Sequence, residues 1–105
     1  MSDLIFRAMI HMLLDERDYS ISEIVQAAIL RYEMPPKLEQ RVRMTLEKCG
    51  DSVQHLPNKK YHKRGDLCDI GQVLQEMKSV PEDHFQGRPG LRRLYSEFQH
   101  RYTKK

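Results

Sequence analysis

The sequence has no tryptophan, only two cysteines and no apolar run approaching the roughly 20 residues that cross a bilayer. Residues 1–14 are apolar but carry Asp3, Arg7 and His11 and no small-residue cleavage site, so we expect no signal peptide and no membrane partner. Two cysteines are too few for a disulfide framework and fit a reducing compartment. We therefore expect an intracellular protein.

Motifs that carry catalysis or hold phosphate are also missing. The chain has neither a G-x-S-x-G sequence nor a glycine-rich phosphate loop. Cys49, His55, His62 and Cys68 are residue types that bind zinc, but their spacing, C-x5-H-x6-H-x5-C, does not pair the ligands as zinc fingers do. One buried cysteine at a helix end, one strand cysteine and two surface histidines explain them better. We expect no enzyme, no cofactor and no metal site.

Length and charge set the scale of the protein. A chain of 105 residues most simply forms one domain, residues 1–105, with a single modest core. Its net charge of +3 is uneven, because residues 1–50 carry 7 Lys and Arg against 8 Asp and Glu, whereas residues 51–105 carry 11 against 7. An anionic partner should therefore meet the second half of the chain.

A helix start is encoded at Ser20. Ser20 and Glu23 have the S-x-x-E spacing of a capping box, in which each side chain accepts a hydrogen bond from the other residue's backbone N–H. Tyr19 before the cap and Ile24 after it are placed to form a hydrophobic staple. The segment that follows is predicted to be a helix, which ends before Pro35.

Apolar periodicity predicts the other elements. Steps of three and four residues indicate helices, whereas an alternating stretch beside a basic loop indicates two short strands. Clustered glycine and proline indicate a loop. The predicted elements are helix 1 at 3–15, helix 2 at 21–33, helix 3 at 36–48, a strand pair within 52–70, a fourth helix at 70–78, a loop at 81–90 and a last helix at 90–102.

The order of the predicted elements resembles that of the winged helix, in which a helix and a short extended stretch are followed by two helices and a hairpin. Residues 19–24, with the sequence Tyr-Ser-Ile-Ser-Glu-Ile, resemble the segment that opens the second helix of forkhead and linker-histone domains. The resemblance covers residues 3–70, the winged-helix-like core, and leaves residues 71–105 as a helical C-terminal extension. It implies a mainly α fold with a helix-turn-helix core, a small β-hairpin wing and additional C-terminal helices.

The same resemblance implies a nucleic-acid-binding domain, for DNA rather than RNA, that acts in chromatin or transcription in the nucleus. Helix 3 would lie in the major groove, and the hairpin would reach the backbone or the minor groove. Lysine and arginine neutralise phosphates, glutamine and arginine read base edges, and tyrosine stacks on a base or sugar. The candidate contacts are Lys37, Gln40, Arg41 and Lys48 in helix 3, Lys59, Lys60, Tyr61, Lys63 and Arg64 in the hairpin, and Arg92 and Arg93 on the basic outer face of the last helix.

A protein-interaction module within a larger regulatory assembly is the alternative. Glu39 and Glu47 give helix 3 a mixed charge, which also fits an ordinary amphipathic helix, and the basic loop also fits a nuclear import signal or a solvated loop. The partner would then contact helix 3, near Met44, or the C-terminal helix, whose apolar stripe otherwise belongs to the core. A continuous basic face would favour nucleic acid, and an apolar patch rimmed by charge would favour a protein.

Overall fold

Five α-helices and a three-stranded sheet form residues 1–103, the part of the chain that the computed structural model describes. The mainly α-helical class predicted from the sequence is confirmed. The helices are α1 (Asp3–Glu16), α2 (Ile21–Tyr32), α3 (Glu39–Cys49), α4 (Ile70–Ser79) and α5 (Pro89–Thr103), the strands are β1 (Tyr19–Ser20), β2 (Val53–His55) and β3 (Lys60–Lys63), and Gly50–Ser52 and Glu82–Phe85 are short 3₁₀ helices.

The first helix, α1, is the centre of the core. Every residue from Ile5 to Leu14 is buried except Arg7, so the helix is covered on nearly all sides rather than along one stripe. The half-buried Arg7 side chain donates from Nε to the Leu67 carbonyl at 2.9 Å, which places the segment between β3 and α4. Within residues 1–103, no helix has both the length and the apolar character needed to cross a membrane.

The strands are ordered β1-β3-β2, and both pairs are antiparallel. Tyr61 of β3 pairs with Tyr19 of β1 on one side and with His55 of β2 on the other. The second and third strands are the predicted strand pair, whereas β1 has two residues and is too short to show an alternating pattern. The sheet thereby fixes the hairpin to the start of α2.

The capping box at the start of α2 is confirmed. The Glu23 N–H donates to the Ser20 hydroxyl at 3.2 Å, and the Ser20 N–H donates to a Glu23 carboxylate oxygen at 2.9 Å. Glu23 also lies 3.7 Å from the Lys60 ammonium nitrogen. The same carboxylate therefore caps the helix and contacts β3.

We expect Ser20→Ala to lower the free energy of unfolding by about 1 kcal/mol, because the Glu23 N–H loses its acceptor. Ser22→Ala is the matched control, since Ser22 is exposed in the same helical turn and is not the cap. Urea denaturation of both variants measures the difference. Equal stability of the two variants would contradict the role assigned to Ser20.

The third helix begins at Glu39, so the predicted start at 36 is wrong. Glu33 ends α2 in the left-handed conformation, and the chain then runs through the two prolines as an irregular connector. Leu38 is buried, and its carbonyl accepts a hydrogen bond from the Val42 N–H at 2.9 Å. Leu38 thus packs in the core with Val42 and Leu46 although it precedes the helix, so the apolar period alone does not mark where α3 begins.

The predicted loop at 81–90 contains regular structure. Glu82–Phe85 forms a 3₁₀ helix, and α5 already begins at Pro89. A single 3₁₀ turn is too short to give a hydrophobic period. Tertiary packing stabilises it, because the Phe85 ring lies edge to face against Tyr95 with centroids 5.0 Å apart.

The last helix, α5, shares one core with the other helices. Leu94, Tyr95 and Phe98 are buried in the same cluster as the apolar residues of α1, α2, α3 and α4. At the start of α5, Gly90 lies directly against the backbone of Tyr32 at the end of α2. The predicted extension continues to 105, and residues 104–105 lie outside the described residues.

An ion-pair network joins α1, α2 and α5 at the Glu16 carboxylate. Its oxygens accept from Arg31 at 3.0 and 3.2 Å and from Arg101 at 2.8 Å. The hydrogen bond from Arg31, helped by that from Arg101, holds the pKa of Glu16 below its ordinary value despite partial burial. Nearby, Glu97 accepts from the Tyr32 hydroxyl at 2.6 Å. Polar contacts at the edge of the core therefore fix these three helices to one another.

Candidate nucleic-acid interface

A cleft with a volume of about 440 Å³ lies where the starts of α2 and α3 meet the β2–β3 hairpin. We call it the hairpin cleft, and it is lined by Ser20, Ile21, Ser22, Glu39, Arg43, His55, Lys59 and Tyr61. Two of these residues, Lys59 and Tyr61, are among the contacts that the resemblance implied. The cleft forms because β1 pairs with β3 and so holds the start of α2 beside the hairpin.

The hairpin presents an aromatic pair and a cation to the cleft. His55 and Tyr61 face each other across β2 and β3, and their rings are stacked at 4.3 Å with an interplanar angle of 2°. Lys59 lies in the connecting turn with a φ of 69°, a left-handed conformation typical of tight hairpins. The Asn58 side-chain oxygen supports the turn by accepting from the Lys60 N–H at 3.0 Å. Aromatic side chains of this kind are the surfaces on which bases stack.

Three of the predicted contact residues are held by acidic groups of α1 and α2. The pairs are Lys60 with Glu23 at 3.7 Å, Lys63 with Asp15 at 3.4 Å and Arg41 with Asp3 at 3.2 Å. Arg41 also places its guanidinium over the Phe6 ring, 4.3 Å from the centroid. These three cations fix the hairpin and α3 to the core, and their charge is partly neutralised by their acidic partners.

Five of the predicted cations are exposed and have no ion pair within residues 1–103, and four of them belong to the hairpin or to α3 and the connector before it. We call these four the open cations: Lys37, Lys48, Lys59 and Arg64. Gln40 is exposed as well, in the first turn of α3. Arg64 follows β3 directly, and its backbone N–H donates to the Ser52 carbonyl at 2.8 Å. A polyanion can reach the open cations without displacing an acidic side chain.

Arg92 and Arg93 lie elsewhere, at the start of α5. Arg92 pairs with Glu82 and lies over the Phe85 ring, 5.0 Å from its centroid. Arg93 donates to the Arg31 carbonyl at 3.1 Å. Neither residue lines the hairpin cleft, so the structure does not bring them together with the candidate contacts of the hairpin.

Six residues of the cleft were not among the predicted contacts, and Arg43 and His55 are the two of them that add a cation and an aromatic ring. Arg43 looks from the sequence like half of a supporting i,i+4 pair, and it does lie 3.1 Å from Glu39. Both members of that pair nevertheless line the cleft. His55 follows from the hairpin register, because a turn at 56–59 places it opposite Tyr61.

The cysteines and histidines that suggested zinc are engaged separately. Cys49 accepts from Arg7 Nη2 at 3.7 Å, and His62 Nδ1 lies 2.8 Å from an Asp18 oxygen. Burial raises the pKa of the Cys49 thiol and raises that of Cys68 to about 11. Within residues 1–103, no group of three or more His, Cys, Asp or Glu side chains is placed to hold a metal ion.

The hairpin cleft combines a stacked aromatic pair, hydroxyl groups, two cations and the Glu39 carboxylate on one surface, with one more cation than carboxylate. Such a surface suits a ligand that carries both negative charge and flat rings. Comparison of the chain with protein-family models, with curated proteins and with solved structures finds no match. The functional interpretation therefore follows from the chemistry of the cleft.

Proposed function

We propose that the chain is a winged-helix DNA-binding module that acts in chromatin or transcription in the nucleus. The order α1-β1-α2-α3-β2-β3, with a sheet ordered β1-β3-β2, supports the winged-helix interpretation. The observation that carries the proposal is the hairpin cleft, where Arg43 of α3 and Lys59 of the hairpin lie beside a stacked aromatic pair. A helix and a hairpin that converge on one surface are the parts with which such a module contacts a duplex.

Binding would be driven by charge and refined by base contacts. The open cations neutralise phosphates and release counterions, which gives an affinity that falls as salt rises. Gln40 and Arg43 are exposed side chains of α3 whose chemistry suits hydrogen bonds to base edges in the major groove. The ion-paired cations, Arg41, Lys60 and Lys63, contribute by holding α3 and the hairpin in place.

We expect the double variant Arg43→Glu, Lys59→Glu to weaken binding to a random-sequence DNA duplex by about tenfold or more, and to flatten the slope of log K against log salt by about 1 to 2. Both side chains line the cleft, and neither joins the hairpin to the core. The cations that join the hairpin to the core, Lys60 and Lys63, are left intact. Fluorescence anisotropy at several salt concentrations measures affinity and slope together.

The matched control for this double variant is Lys78→Glu, Arg88→Glu. Both residues are exposed, lie outside the cleft and give the same change in net charge. An equal loss of affinity in the two double variants would mean that net charge alone matters and would contradict the cleft. Tighter binding to single-stranded RNA would contradict the preference for DNA. No binding to either at low salt would overturn the proposal.

A protein partner is the second candidate, and exposed apolar side chains favour it. Met44 on α3 is 47% exposed and Leu30 on α2 is 70% exposed. The C-terminal helix offers less, because Leu94, Tyr95 and Phe98 are buried in the core. A partner would therefore contact α3 around Met44, among charged neighbours. Met44→Ser would weaken capture of such a partner while leaving DNA binding unchanged.

A further inference from the structure

A second cavity lies where the end of α2, α4, the 3₁₀ helix Glu82–Phe85 and the start of α5 meet. Its volume is about 530 Å³, within the range of about 300–1,000 Å³ that small-molecule sites occupy. We call it the α5 cavity. Its apolar lining comes from Met34, Val80, Pro89, Leu91 and Tyr95. The cavity belongs to none of the surfaces described above.

Aromatic rings form one side of the α5 cavity. The His84 and Tyr95 rings both line it, with centroids 6.2 Å apart. Phe85 supports both of them, because its centroid lies 5.5 Å from that of His84 and 5.0 Å from that of Tyr95. The three rings therefore pack against one another, and those of His84 and Tyr95 face the cavity as what we call the ring wall. The face of an aromatic ring carries partial negative charge and attracts cations.

Two carboxylates add full negative charge to the α5 cavity. Glu76 is half-buried and accepts from the Ser2 hydroxyl at 3.2 Å, whereas Glu33 is exposed. Neither has an ion pair within residues 1–103. Burial, and next the charge of Glu76, raises the pKa of Tyr95, so this charge acts on the aromatic wall. Arg88 and Met1, with its terminal amino group, also line the cavity, but both are exposed like Glu33, whereas the negative charge of Glu76 is half-buried.

We propose that the α5 cavity binds an organic ammonium group carried on an apolar stem. The apolar lining contacts the stem and any N-methyl groups, while the ring wall and the two carboxylates attract the positive charge. An anion would be repelled by Glu76, and a neutral apolar ligand would desolvate that carboxylate and leave it only the neutral Ser2 hydroxyl as a partner. The ammonium belongs either to a small molecule or to a lysine side chain of a protein. This inference is independent of the DNA-binding proposal.

The test compares choline with 3,3-dimethyl-1-butanol, which has the same shape without the charge. We expect choline to give saturable shifts in the methyl NMR signals of Met34, Val80 and Leu91, and to bind about threefold to tenfold more tightly than the alcohol. Equal binding of the two, or the absence of saturable shifts with choline, would overturn the inference. A capped Gly-Lys-Gly peptide with trimethylated lysine identifies the source: tighter binding than choline indicates a protein ligand, and weaker binding indicates a small molecule.

Two variants test the charge in opposite directions. Glu76→Gln should weaken choline binding about threefold or more, whereas Arg88→Gln should strengthen it, because each removes one charge near the ligand. Glu47→Gln, an exposed acid on α3 outside the cavity, is the matched control and should leave the affinity unchanged. If the Glu76 variant and the control bind choline equally well, the carboxylate plays no part and the inference is wrong.

Discussion

Gly90→Ala is expected to lower the free energy of unfolding by about 3 kcal/mol, at the upper end of the cost of overpacking. A methyl group at position 90 would overlap the carbonyl carbon and oxygen of Tyr32 and would lie 2.9 Å from the Glu33 Cβ. The backbone there cannot easily move, because the Glu33 and Met34 N–H groups bond to α2 carbonyls and the Tyr32 ring is buried. Relief therefore requires α5 to shift away from α2.

Thermal unfolding measures this effect, and for a domain of this size a loss of 3 kcal/mol lowers Tm by roughly 10–20 °C. Gly71→Ala is the matched control, because it makes the same chemical change at a helical position with space for it. A Cβ there would lie 3.6 Å from the Asp69 carboxylate, an ordinary contact. A Gly90 variant as stable as the Gly71 variant would show that α5 does not pack on α2 as described.

Acid is expected to destabilise the protein at pH values where its carboxylates are still ionised, because of His11. This residue is 2% exposed, and its Nδ1 accepts from the Leu67 N–H at 3.2 Å. Protonation would place a hydrogen on Nδ1, facing that donor, and remove the acceptor. Burial, assisted by the charge of Lys63, lowers the pKa of His11 below its ordinary 6.5. The other groups that act on its pKa are Asp15 and Asp66, which raise it, and Arg101, which lowers it.

The direction of this pH effect follows from the linkage between proton binding and folding. Below pH 6.5 the unfolded chain binds a proton at His11 that the folded chain does not bind, so stability falls as pH falls toward the lowered pKa. One proton limits this loss to about 1.4 kcal/mol per pH unit. Carboxylates with lowered pKa, such as Glu16, add their own loss only near and below their ordinary value of 4.5. Between pH 6.5 and 4.5 the loss expected from His11 is therefore separate from the loss that these carboxylates contribute.

Urea denaturation at several pH values checks this prediction against the variant His11→Asn. The asparagine Oδ1 is bonded to Cγ, as Nδ1 is, and can replace it as acceptor for the Leu67 N–H, but the amide does not titrate. The variant should therefore lose the pH dependence that His11 contributes between pH 6.5 and 4.5, whatever its stability at pH 8. An identical pH dependence in the variant would assign the effect to other groups.

Local signals predicted the elements that are long or capped by neighbouring residues. The hydrophobic period is strong over α1, and the capping box at Ser20 depends on Glu23 three positions away. Elements of one turn or less gave no such signal. The strand β1 has two residues and forms because Tyr19 pairs with Tyr61. The 3₁₀ helix after α4 is stabilised by packing against α5. Contacts distant in the sequence decide these elements.

The candidate interface was predictable as a set of residues but not as a surface. The sequence shows which side chains are cationic, but the acids that neutralise them come from other elements. Lys63 meets Asp15 and Arg41 meets Asp3 only because α1 passes beneath both the hairpin and α3. A count of the cationic side chains therefore overestimates the positive charge that a ligand meets. The position of His55 opposite Tyr61 differs from these contacts, because it follows from the register of the hairpin alone.

The bonds between α1 and α5 also determine when the fold can be completed. Arg101 donates to the Met12 carbonyl at 3.2 Å, and these residues are separated by 89 positions in the sequence. A chain still being synthesised cannot cover α1 until α5 has emerged, so apolar surface that is buried in the finished protein stays exposed until then. Such non-local contacts slow folding, since the loop between them must close first. Translation that stalls before α5 would leave an aggregation-prone chain.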